Sequence, residues 1–161
     1  MISNKLKIAL LATTLLFSLG ASAGQSLLEG YSYDQLKLVH EFPAATHQAV
    51  FQVNADDPAL WNLALNNATN VIEFFGQDKV KVVLVAYGPG LKMLFKDSAV
   101  AKRLATLDAA GVEFDACHNT LVGMAKHLGY TPELAPESVL VPSGVIRVMQ
   151  LEQHGFSYIK P

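Results

Sequence analysis

The segment Lys79-Val80-Lys81-Val82-Val83-Leu84-Val85-Ala86 constrains this chain more than any other. After Lys81 it is continuously apolar, and it stops at Tyr87-Gly88-Pro89-Gly90. An apolar run of this kind reads as a strand buried on both faces. Such a strand needs other elements packed above and below it, and the rest of the chain supplies them.

His47 to Val53 has strand-forming residues in partial alternation. Asp57 suits an N-cap and Pro58 a first helical position, and Leu60, Ala64, Ala68, Val71, Ile72 and Phe75 keep helical spacing up to Gly76, so the pattern predicts a helix over 58–75. A second helix is expected to begin near Asp97 or Ser98, to turn Val100, Ala101, Leu104 and Leu107 inward, and to end at Gly111. Val112 to Ala116 alternates as a third strand. A short helix is expected over Leu121 to Leu128, a loop over Thr131 to Glu137, and a fourth strand over Ser138 to Val141. Ser143 then caps a helix carrying Val145, Val148, Met149 and Glu152, and Phe156 to Ile159 closes the chain as a short strand. Alternation of this kind predicts a three-layer α/β/α sandwich with a mostly parallel sheet of about five strands. No internal repeat or linker interrupts it, so residues 47–161 read as one domain, preceded by an extension over 24–46 with no sustained period, expected to pack loosely.

The first 23 residues have a different character. Lys5 and Lys7 precede an apolar run from Ile8 to Leu19, and Ala21-Ser22-Ala23 follows. This is the layout of a cleavable signal peptide, and the run is shorter than the roughly 20 residues of a membrane anchor. The expected product is periplasmic or secreted, starts at Gly24, and keeps no stable membrane anchor. Without those two lysines, 10 of the 12 basic side chains remain against 14 acidic ones, a net charge of −4. That balance argues against nucleic acid as a partner. Export favours disulfides, yet a single cysteine, Cys117, cannot form an internal one.

In an open parallel sheet, ligands bind beyond the carboxyl ends of the strands. Three segments arrive there: Tyr87-Gly88-Pro89-Gly90, Cys117-His118-Asn119-Thr120 and Pro142-Ser143-Gly144. Cys117 stands where a strand turns into a helix, and free backbone N–H groups together with the helix dipole would favour the thiolate, the form that attacks or accepts sulfur. His118 could add charge or exchange protons. The competing reading is a small buried hydrophobe. Asn119 and Thr120 read as helix-capping groups, Ser143-Gly144 as a helix cap, and Gly88 and Gly90 as residues of a tight turn. The turn lacks the Lys-Ser/Thr ending of a phosphate loop and the full dinucleotide spacing, so no cofactor is implied. Leu91, Met93, Leu94 and Phe95 read as core, as a lid or as an oligomer contact. Asn62, Asn66 and Asn70 line one helix face, a solvated face, a subunit contact or a polar groove. His40, His47, His118, His127 and His154 show no paired ligand spacing, so no metal is implied. Nor is there a G-x-S-x-G elbow.

Taken in order, Val83-Leu84-Val85-Ala86-Tyr87-Gly88-Pro89-Gly90-Leu91, Gly111-Val112-Glu113-Phe114-Asp115-Ala116-Cys117-His118-Asn119-Thr120, Val141-Pro142-Ser143-Gly144-Val145 and Gly155-Phe156-Ser157-Tyr158-Ile159-Lys160-Pro161 resemble the DsrE/DsrF-like family over His47 to the C-terminus. The resemblance implies a small α/β/α sandwich that forms homo-oligomers, commonly trimers or hexamers. In sulfur-relay members such as the TusD and DsrE proteins, a cysteine after the third strand carries a persulfide and passes its terminal sulfur to a partner, and Cys117 holds the matching place. Two departures stand out: relay members are usually cytoplasmic, and the basic residues that often follow their cysteine are replaced here by Leu121, Val122, Gly123 and Met124. The function expected on this basis is a periplasmic sulfur carrier or sulfurtransferase-like protein with donor and acceptor proteins as partners. The alternative is a non-catalytic oligomeric protein that binds a small ligand or serves assembly.

Overall fold

The computed structural model describes residues 24–161; the signal-peptide reading falls on residues 1–23 and lies outside them. The elements run β1 (His47–Val53), α1 (Pro58–Phe75), β2 (Val80–Ala86), α2 (Ala101–Ala109), β3 (Val112–Cys117), α3 (His118–Leu128), β4 (Ser138–Val141), α4 (Gly144–Gln153) and β5 (Ser157–Ile159). The five strands form one sheet in the order β4-β3-β2-β1-β5, and every neighbouring pair is parallel. The protein is a three-layer α/β/α sandwich.

Crossover handedness explains how the layers fill. Steps from β1 to β4 move across the sheet in one direction, so right-handed connections put α1, α2 and α3 on one face. The step from β4 to β5 runs back past the whole sheet and puts α4 on the other. The core follows this division. Phe51, Leu84 and Phe114 meet Trp61, Leu65, Leu104 and Leu121 on the first face, while Val50, Val83 and Val85 meet Val148, Leu151 and Phe156 on the second.

One helix cannot cover the second face, and the extension completes it. Leu36 and Leu38 pack into the α4-side cluster. Leu27 N–H donates to the Leu140 carbonyl and Leu140 N–H to that of Gln25, which ties the segment to β4. Farther along, His40 pairs with Asp108 at 3.0 Å and Phe42 packs on Gly111. The loose packing expected of residues 24–46 is therefore replaced, over 31–42, by a strap docked at named points. Isolated polar residues in that stretch carry no period, because an extended strap is held by what it crosses rather than by its own repeat.

Several elements differ from the pattern. α2 starts at Ala101, not at Asp97 or Ser98, because Ser98 Oγ takes the Val100 N–H in a preceding turn. On α4, Val145 and Met149 are 51% and 50% exposed, and Arg147 and Gln150 are buried in their stead. The strand β3, read as alternating, is buried at all six positions. Leu91, Met93 and Leu94 lie in a short 3-10 helix over Gly88–Leu94 and are fully buried, which makes them core rather than a lid or an oligomer contact. Asn62 and Asn66 each accept from the Arg103 guanidinium, at 2.6 and 2.8 Å, so that face of α1 is the polar seam with α2, with Asn70 exposed beyond it. Asp57 caps α1 as expected, its Oδ1 accepting from Ala59 N–H at 2.8 Å.

Candidate functional site

Strands β3 and β4 are neighbours, yet the helices that follow them leave toward opposite faces. This is a topological switch point, where an α/β sheet opens a crevice at its carboxyl edge. Cys117 ends β3 at this point, paired in register with Val141 of β4. Since Ala86 pairs with Ala116, the next step of the register sets Tyr87 beside Cys117 on the other flank. The three expected segments are thus brought together.

Cys117 is the N-cap of α3, and its Sγ accepts from the Thr120 N–H at 3.4 Å. Capping was expected of Asn119 and Thr120, and it falls to the thiol because the helix begins earlier than the apolar pattern marks, at His118. Thr120 acts elsewhere: its Oγ1 accepts the Gly88 N–H at 3.0 Å and ties the β2 turn to α3. Asn119 N–H donates to the Pro142 carbonyl at 3.2 Å and ties α3 to the β4 end. Cys117 itself is 4% exposed.

Two glycines let these segments approach one another. At Gly90 a Cβ would stand 2.5 Å from the Val53 carbonyl oxygen, and at Gly144 it would stand 2.7 Å from Cβ of Tyr87. Tyr87 therefore lies directly against the first turn of α4. Ser143 holds the N-cap position of that helix, but its side chain makes no capping bond, and its carbonyl accepts from Arg147 N–H at 2.9 Å. The Tyr87 hydroxyl accepts from Gln52 Nε2, and Gln52 Oε1 accepts from the Tyr158 hydroxyl, so a polar chain links the carboxyl ends of β2, β1 and β5.

A groove of about 540 Å³ runs along the outer side of α3, lined by His118, Leu121, Val122, Lys126 and Tyr130 among others. His118 reaches it; Cys117 does not line it.

Two residues before Cys117 on β3 lies the main polar cluster of the interior. Arg147 donates through Nε to Asp115 Oδ2 at 2.7 Å, through Nη2 to Glu113 Oε1 at 2.8 Å and through Nη1 to Gln150 Oε1 at 2.8 Å. All four residues are closed from solvent. Burial, with the negative charge of Asp115 adding to it, pushes the Glu113 carboxyl up to about 8. Burial also raises Asp115, against the pull of Arg147. One guanidinium faces two carboxyls, an arrangement that favours one proton held between the pair. We place it on Glu113, since the interaction between the two raises Glu113 and lowers Asp115; Asp115 Oδ1 has no hydrogen-bond partner. The hydropathy pattern passes over this cluster. Its only trace is the acidic pair Glu113 and Asp115 on one side of a strand and Arg147 and Gln150 three residues apart on one helix.

Among the described residues, no group of three or more His, Cys, Asp or Glu side chains is gathered to hold a metal ion, and no helix is long and apolar enough to cross a membrane.

Fold and site define a parallel α/β sandwich with one thiol at its carboxyl-edge switch point. Among solved structures the chain is similar to a protein of unknown function from Methanobacterium thermoautotrophicum, MTH1491, with 29% sequence identity and a TM-score of 0.64 over 71% of this chain and 99% of that one. It is also similar to a conserved protein of unknown function from Bacteroides thetaiotaomicron, BT1422, with 14% identity and a TM-score of 0.51 over 75% of this chain and 100% of that one, a likeness that shows the fold alone. No family model matches the chain, and no curated protein does.

Proposed function

We propose that the protein is an exported sulfur carrier or sulfurtransferase-like member of the DsrE-like group, acting as a homo-oligomer through a persulfide on Cys117. The observation that carries this reading is the place of the thiol: it caps α3 at the β3/β4 switch point, with the Thr120 N–H directed at Sγ. Backbone donors and the positive end of a helix favour an anionic sulfur there, whether thiolate or persulfide. In the reaction, the Cys117 thiolate attacks the outer sulfur of a donor persulfide. The donor's S–S bond breaks, its inner sulfur leaves as a thiolate, and Cys117 holds the sulfane sulfur. An acceptor thiolate then attacks that outer sulfur and releases Cys117 unchanged, so the cycle has no net oxidation. His118, next in sequence and open to the α3 groove, is placed to exchange protons with a partner seated there.

The experiment is a two-stage transfer. The protein is loaded from a sulfane-sulfur donor, freed of excess, and mixed with an acceptor thiol. Release of sulfur to the acceptor, lost in Cys117→Ser, supports the carrier. A protein that takes up no sulfur from any of several donors overturns it.

A second reading draws on a specific observation: the 4% exposure of Cys117 beside an open groove that it does not line. On that reading the α3 groove holds a small ligand without covalent chemistry. It predicts that Cys117 reacts with a disulfide reagent no faster in the folded protein than an unstructured cysteine does.

A further inference from the structure

The strap over residues 31–39 is held almost wholly by the buried polar cluster. Arg147 Nη2 donates to the Lys37 carbonyl at 2.9 Å, and Val39 N–H donates to Glu113 Oε2 at 2.5 Å. Gln150 Nε2 donates to the carbonyls of Ser32 and Tyr33 at 2.8 and 2.9 Å, and the Tyr31 hydroxyl donates to Gln150 Oε1 at 2.8 Å. In that stretch, only Leu36 and Leu38 join the apolar cluster on this face. A cavity of about 160 Å³ separates part of the strap from α4 and reaches Arg147. The cover is thus fastened by a small set of charges that close only against each other.

We propose that the strap is a proton-latched cover: a proton shared by Glu113 and Asp115 keeps it closed, and loss of that proton lets residues 31–39 lift from the sheet and expose Arg147 and Gln150. Charge count separates the two states. With the proton in place, one guanidinium faces one carboxylate and one carboxylic acid, and the buried charges balance. Without it, two buried carboxylates share one cation, an arrangement that low-dielectric surroundings disfavour. Lifting the strap admits water to Glu113 and relieves it.

The groups facing Glu113 are few. They are Asp115 on its own strand, Arg147 on α4 and the Val39 N–H of the strap, while Tyr31, Lys37 and Glu29 line the cavity that reaches Arg147. Arg147 stays charged at any ordinary pH. Burial raises Tyr31 above its usual range and keeps it neutral. Glu113, held up to about 8, is the group in the latch that titrates near neutrality. The latch does not depend on the reactivity of Cys117.

The sign follows from proton release. The closed state holds a proton that the open state, with Glu113 in water, gives up above the ordinary carboxylate range. Opening therefore becomes about tenfold more favourable per pH unit up to about pH 8 and levels off above it. Hydrogen exchange of the full chain tests this, with the amide rates of residues 31–39 corrected for the intrinsic pH dependence. Strap protection should fall about tenfold per unit between about pH 6 and 8, while α1 amides remain more protected than the strap throughout. In Glu113→Gln, a permanently neutral stand-in, the decline should vanish. Wild-type strap protection that does not change over this range, or a strap that exchanges only together with α1, overturns the proposal whether or not the variant folds.

Discussion

Arg147 of α4 meets Asp115 of β3 through a 2.7 Å hydrogen bond in which neither side chain sees solvent. Glu113, two residues earlier on the same strand, shares the guanidinium. A cation placed between a sheet and its helix is a demanding way to join them, since each partner needs the others. Arg147→Met should cost about 3–5 kcal/mol, because it leaves two carboxyls buried without a counter-charge. Urea denaturation measures it, and combining Arg147→Met with Glu113→Leu and Asp115→Leu should recover most of the loss.

Stability should also follow pH through Glu113. Its folded value lies above the unfolded one, so its contribution is complete below the ordinary carboxylate range and is lost as pH rises toward about 8. Relative to wild type, Glu113→Gln should therefore gain stability between pH 5 and pH 8, and the gain should stop growing above that. Midpoints of urea unfolding at matched pH check this.

The contact of Tyr87 with Gly144 gives a test of the site's shape. Gly144→Ala would press a methyl group on the tyrosine at 2.7 Å from its Cβ, and overpacking of this kind costs about 1–3 kcal/mol. Adding Tyr87→Gly, which removes that Cβ together with the ring, should make Gly144→Ala cheaper than it is alone, a coupling that a double-mutant cycle reads out.

The turn after β2 should behave as core. Met93→Ala should destabilise by about 2–5 kcal/mol, whereas exposed Val145→Ala should change stability by less than about 0.5 kcal/mol. Thermal unfolding of the two variants separates them.

Much of the fold could be read in the sequence, and the reason is local. Val82 to Ala86 has no role but a doubly covered strand, and Asp57-Pro58 and Gly76 bracket a helix by backbone chemistry alone. The convergence of Tyr87, Cys117 and Gly144 followed from parallel topology. What stayed hidden depends on partners far apart in the chain. The pattern placed Val145, Val148 and Met149 on a helix without fixing its inward face, and that face is set by Arg147 answering Glu113 and Asp115, more than thirty residues earlier. A hydropathy period sees a charged residue as a surface residue, and it cannot see the opposite charge waiting beneath it. The strap was missed for the same reason: its Ser32, Tyr33 and Lys37 carbonyls are backbone groups, and no residue type announces them. Cys117 was located correctly, while its role as the helix cap was not, since a thiol is a weak acceptor and seldom serves as one.

Whether the thiol capping α3 carries sulfur is read by intact-mass analysis after incubation with a sulfane-sulfur donor. A sulfur carrier gains about 32 Da on Cys117, and the gain is reversed by a reductant and absent in Cys117→Ser. An unchanged mass across donors, with the protein folded, would contradict it.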